Sequence, residues 1–137
     1  MLGFVADASA TLPWCFADEA TSATEALLDR LRGGEVAVVP AHWPTEVMNG
    51  LLMALRRNRI DPEKVTRFAH ALAALPIRIE PPPSDWDAII RVAIRHQLTV
   101  YDAAYLELAQ RTGLPLASLD GDLRKVAPAA GVALVET

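Results

Sequence analysis

The chain has 137 residues, 13 Lys+Arg against 17 Asp+Glu for a formal charge of −4, and 52% hydrophobic residues. This fits one domain, residues 1–137, with a continuous core, and excludes a disordered chain. No apolar run reaches the roughly 18 residues of a membrane-spanning helix, so no membrane association is expected.

The segment Leu2-Gly3-Phe4-Val5-Ala6 reads as a buried strand ending at Asp7. It is no secretory signal, because it lacks a basic flank and Asp7 interrupts it. The lone Cys15 cannot form an internal disulfide, which agrees with a reducing cytoplasm. Ser22 and Glu25 predict a capping box for a helix carrying Leu27, Leu28 and Leu31, ended by Gly33-Gly34. Val36 to Val39 is a second apolar strand. Pro44 then stands at the first position of a helix that runs through Val47, Leu51, Leu52 and Leu55 to Arg56, Arg57 and Arg59.

Asp61-Pro62 starts the next helix, which ends near Leu75-Pro76. Ile77-Arg78-Ile79 alternates as a brief strand, and Pro81-Pro82-Pro83 is a stiff connector. Ser84 with Asp87 caps a helix through Ile89, Ile90, Ala93 and Ile94. Thr99 caps another from about Tyr101 to Arg111, with Gly113 just past its end. Leu116 to Leu119 and Val132 to Val135 read as the last two strands. The order βα–βαα–βαα–βαβ predicts an α/β domain of three layers, α/β/α, around a mainly parallel sheet of about five strands.

On this map four acidic residues share one address. Asp7 follows the first strand, Glu46 lies in the first turn after the second, Asp102 opens the helix near Tyr101, and Asp120 follows Leu116 to Leu119. In a parallel sheet, strand C-termini and the N-termini of the following helices meet at one edge, where ligands bind. Each residue also has a plain structural reading. Asp7 can cap a helix, Glu46 can complement a helix dipole, Asp102 can complete a capping box with Thr99, and Asp120-Gly121 can be a turn. Four like charges at one edge, with no basic residue near in sequence, nevertheless call for a counter-ion. Oxygen donors select hard cations, Mg²⁺ or Mn²⁺. The negative net charge therefore argues against a general polyanion binder without excluding a nucleic-acid enzyme.

Four segments carry a family resemblance: Val5-Ala6-Asp7-Ala8-Ser9, Glu46-Val47-Met48-Asn49, Thr99 to Tyr105 continued as Leu106-Glu107-Leu108-Ala109, and Leu119-Asp120 with Leu123. In order, spacing and total length the chain resembles the PIN-domain ribonucleases, most closely the VapC toxins of bacterial toxin–antitoxin pairs. The resemblance implies that Asp7, Glu46, Asp102 and Asp120 form a catalytic metal site for cutting RNA. Ser9 and Ser118 map to supporting hydroxyl positions, Ser118 standing where the family usually has Thr. Asn49 lies one turn after Glu46. Asp122 is an alternative or helper to Asp120, with Asp120 ranked first for its place at the strand end.

The resemblance also implies a VapB-like antitoxin whose tail covers the acidic groove, and a homodimer. For substrate contact, Arg124 and Lys125 are better placed than Arg56, Arg57 and Arg59, which read as a solvated helix end. His42, His70 and His96 lack metal-ligand spacing and read as structural or surface residues. Cys15 is an apolar packing residue, and Trp14, Trp43 and Trp86 serve packing before base stacking. Trp14 and Phe16 are expected on the first helix. Two alternatives compete: a HAD-like phosphohydrolase, which needs an Asp where Ser9 stands, and a non-catalytic PIN-like binding module.

Overall fold

A computed structural model describes residues 1–135. Strand β1 (Leu2–Ala6) leads through the short helix α1 (Ala8–Thr11) and two 3-10 turns to α2 (Ser22–Arg32). Then come β2 (Val36–Pro40), α3 (Trp43–Arg56), α4 (Pro62–Ala73), β3 (Ile77–Glu80), α5 (Asp87–His96), α6 (Val100–Thr112), β4 (Leu116–Ala117) and α7 (Gly121–Val126). The strands pair in parallel in the order β3-β2-β1-β4, with Val5 opposite both Val38 and Leu116.

Alternation along β1 builds the layers. Val5 joins a buried cluster with Trp43 and Val47 of α3 and with Tyr105, Leu106 and Leu108 of α6. Its neighbours Phe4 and Ala6 join a second cluster with Leu27 and Leu31 of α2. Successive strand residues point to opposite faces, so the two clusters are the two covered faces of one sheet. A third cluster packs Phe16 and Leu51 of α3 against Val65 and Phe68 of α4. Each large apolar side chain removed from water contributes roughly 1.5–3 kcal/mol.

Local chemistry sets most boundaries. The Asp61 side chain accepts from the Lys64 amide ahead of Pro62, and Thr99 does the same for the Asp102 amide. Gly113 closes α6 at φ +71, a left-handed position suited to glycine.

Five details differ from the sequence reading. The cap of α2 is Thr21, in reciprocal hydrogen bonds with Thr24, so Ser22 and Glu25 lie inside the helix. Pro44 is the second residue of α3, after Trp43. No side chain caps α5; the Asp85 carboxylate instead accepts from the Asp87 amide at 3.0 Å. The sheet has four strands, because Val132 to Val135 contributes only the bridge from Leu134 to Leu116. With β4 only two residues long, the last segment has little edge to extend along. Trp14 lies on the 3-10 turn after α1, its indole donating to the Thr24 carbonyl at 2.7 Å, and Phe16 is buried just beyond that turn.

Candidate active site

Because all four strands run the same way, β1 and β4 deliver Asp7 and Asp120 to the same edge of the sheet. The two corners are stitched together by two serines. Ser9 donates to Asp7 Oδ1 at 2.6 Å and accepts from the Leu119 amide at 2.8 Å. Ser118, fully buried, donates to Asp7 Oδ2 at 2.5 Å and accepts from the Asp120 amide at 3.0 Å. Asp7 also caps α1 through the Ala10 amide, and Asp120 caps α7 through the Leu123 amide, both at 3.0 Å. The capping role foreseen for Asp7 is real, Asp120 caps a helix where the sequence suggested a turn, and both roles coexist with a place at the edge.

The other half of the site hangs on α3 and α6. Tyr105 donates to Glu46 Oε1 at 2.5 Å. His42 Nε2 stands 3.2 Å from the same oxygen, within ion-pair distance but off the line of a hydrogen bond. The His42 ring packs edge-on against Tyr105 at 5.0 Å and Tyr101 at 5.6 Å. Asp102 needs no such partner. Its amide is held by Thr99, but its carboxylate accepts no hydrogen bond among the described residues.

Electrostatics ties the halves together. Burial raises the Asp102 carboxyl above its ordinary value, and the charges of Asp120, Glu46, Asp7 and Asp122 push it further. Asp7 is raised by burial, against its hydrogen bonds from Ser118, Ser9 and Ala10, with Asp120 adding to the rise. Glu46 is held below its ordinary value by His42 first, against burial, with help from Tyr105. The Tyr105 hydroxyl is pushed far up by burial and by the Glu46 carboxylate.

Four carboxylates from three other segments thus bear on Asp102. No Lys or Arg forms an ion pair with Asp7, Glu46, Asp102, Asp120 or Asp122 among the described residues. Nor, among those residues, do three acidic, His or Cys side chains stand together as a ready coordination shell. Asp7, Glu46 and Asp120 are turned onto internal donors instead. By donor chemistry the set fits a hard divalent cation: oxygen ligands, crowded enough to repel.

Asn49 is exposed, and its side chain makes no hydrogen bond among the described residues. Asp122 is exposed in the first turn of α7. Lys125 is exposed, whereas Arg124 donates to the Ser118 carbonyl at 3.0 Å, bracing the β4–α7 corner. Arg59 is taken up by Asp18 and Glu19. Sequence reasoning passed over His42 and Tyr105. The signal was present in the His42–Glu46 spacing of one helical turn, which places the two side chains together.

The PIN domain family matches residues 4–128. A ribonuclease from Mycobacterium tuberculosis, VapC12, is 33% identical over 103 residues, 75% of this chain and 78% of that protein. An exonuclease from Pyrobaculum aerophilum, VapC9, is 34% identical over 92 residues, 67% of this chain and 66% of that one. Among solved structures, PAE2754 from Pyrobaculum aerophilum superposes with a TM-score of 0.71 at 24% identity, covering 98% of this chain and 91% of the other. VapC20 from Mycobacterium tuberculosis, described as a toxin that cleaves the sarcin-ricin loop, gives 0.64 at 19% identity, covering 98% and 100%. The two superpositions speak for the fold, and the sequence matches carry the family. The HAD-like alternative falls with them, since Ser9 occupies the position that chemistry requires to be Asp. By sequence and by fold, the chain belongs to the PIN-domain family, among the VapC ribonucleases.

Proposed function

We propose that this protein is a divalent-metal-dependent endoribonuclease and the toxin of a toxin–antitoxin pair. The observation that carries the reading is that Ser9 and Ser118 tie Asp7 to the Asp120 corner at one sheet edge, while the charges of Asp120, Glu46 and Asp7 all bear on Asp102. Asp7 and Asp102 would hold Mg²⁺ or Mn²⁺ directly, with Glu46 and Asp120 completing the site and Asp122 beside them. When bound, such an ion acidifies water and offsets charge on a phosphoryl group.

The chain's own residues supply positioning. Ser9 and Ser118 fix both oxygens of Asp7. Tyr105 and His42 both engage Oε1 of Glu46, which leaves Oε2 to orient the attacking water and accept its proton. Attack on phosphorus opposite the 3′-oxygen leaves a 5′-phosphate and a 3′-hydroxyl. Lys125 and Arg124 flank the edge and serve the substrate's phosphates, Lys125 from its exposed position and Arg124 from its anchored one. Asn49, one turn beyond Glu46, contacts substrate.

In keeping with the VapC relatives, a VapB-like antitoxin covers the acidic groove, an arginine of its tail standing in for the cation, and the toxin works as a homodimer in the cytoplasm. Among the described residues, no helix is long and apolar enough to cross a membrane. The test is incubation with end-labelled RNA in Mg²⁺ or Mn²⁺, with and without EDTA. Cleavage that needs the metal and yields 5′-phosphate ends supports the reading. Failure to cut any of several RNAs, with metal present, favours a non-catalytic binding module.

A further inference from the structure

The arginine cluster most visible in the sequence, Arg56, Arg57 and Arg59, is not where basic side chains converge in space. They converge between α5 and α6, in an open groove of about 750 Å³ lined by Arg91, Arg95, His96, Glu107, Gln110 and Arg111. Arg91 and Arg95 are one turn apart on α5, so their side chains are neighbours on one face. Arg95 has no carboxylate within ion-pair distance among the described residues. Arg91 reaches only Asp85, at 3.5 Å between two exposed side chains, a contact worth little in water. Arg111 is committed to Glu107 at 2.8 Å, and Glu107 is buried, its second oxygen without a partner. The groove therefore presents two available guanidinium forks, with His96 beside them, in a protein whose net charge is negative.

Its position says what these forks are for. Glu107 and Arg111 also line a second, mainly apolar cavity of about 200 Å³ against Pro81, Pro82 and Pro83, and that cavity reaches His42, the contact of Glu46. The two cavities thus share Glu107 and Arg111, and the second ends at His42 beside Glu46. Along α6, Arg111 lies nine residues past Asp102, roughly 14 Å at 1.5 Å per residue, a span of a few nucleotides. Guanidinium groups match phosphate oxygens in pairs.

We propose that the α5–α6 groove is a second binding site, for the phosphodiester backbone of the RNA strand that extends away from the catalytic edge, gripped by Arg91 and Arg95. The inference rests on the ribonuclease reading above. It assigns the groove to substrate length: long RNAs use it, and short ones never reach it.

The test compares wild type with R91Q/R95Q, both checked by thermal melt. Binding of a fluorescein-labelled single-stranded RNA of about 20 nucleotides is followed by anisotropy in EDTA across a salt series. At low salt the double variant binds about tenfold more weakly, and its slope of log affinity against log salt is shallower by about 1.4, for two lost phosphate contacts. In Mg²⁺, its kcat/KM falls on the long RNA through KM and stays at the wild-type value on a dinucleotide. An unchanged affinity and slope, or an equal loss on both substrates, overturns the groove. Tighter arginine-dependent binding of a polyglutamate peptide than of RNA overturns it in favour of an acidic protein partner. A wild type that neither binds nor cuts RNA brings down the ribonuclease reading itself, and the groove with it.

Discussion

Ser118 donates a hydrogen bond to the Oδ2 atom of Asp7 across 111 residues of chain, with both side chains buried. That bond, with its counterpart from Ser9, holds a carboxylate in a place where burial disfavours its charge. A residue set against the fold's own preference is a mark of function more than of stability.

The sign of that preference yields the first prediction. An acid whose folded pKa is raised favours the folded state when protonated, and that stability is lost as pH rises through the folded value. Asp7→Asn removes the cost without changing the shape, so in metal-free buffer the variant melts higher than wild type at neutral pH. The gap narrows as pH falls toward the ordinary carboxylate range. Melting curves at several pH values check this, and a variant less stable than wild type at pH 7 would contradict it. The same variant cuts no RNA.

Tyr105→Phe keeps the ring in the core and removes only the donor to Glu46. A hydrogen bond to a charged group is worth about 1.5 kcal/mol or more, so cleavage should fall about tenfold. His42 remains beside Glu46, so activity should not vanish. Single-turnover rates test the prediction, and an unchanged rate would mean that Glu46 needs no such orientation.

Leu51 is fully buried on α3, in the cluster with Phe16 and Ala54. Leu51→Ala should cost 2–5 kcal/mol of stability, the usual range for truncating a core leucine. The surviving folded fraction should still cleave, because the cluster lies apart from the carboxylate edge. Urea denaturation paired with activity per folded molecule separates the two effects, and a loss below about 1 kcal/mol would show a loosely packed α3.

Much of this was legible in the chain because the signals are local. Asp61-Pro62, Thr99 and Gly113 mark helix ends through bonds made within a few residues, and the apolar runs at Val5 and Val38 have the shortness and, at Val36 to Val39, the β-branched content of buried strands. The shared edge of Asp7 and Asp120 was legible too, since a parallel sheet aligns its strand ends. Other features depend on contacts that local pattern does not encode. Leu134 meets only a two-residue strand, so a run with strand composition makes one bridge. The choice of Thr21 over Ser22 turns on one residue of register, where two hydroxyls compete for the same cap. Tyr105 finds Glu46 from 59 residues away, and Arg91 and Arg95 join Arg111 only when α5 folds back on α6.

Asp7 and Asp102, distant in sequence, are proposed to serve one cation. Titration of the metal-free protein with Mn²⁺, followed by electron paramagnetic resonance of the free ion, tests it most directly. Wild type should show one class of site at neutral pH, weakened at least tenfold by Asp7→Asn and again by Asp102→Asn, with both variants folded. Wild-type affinity in either variant would contradict it.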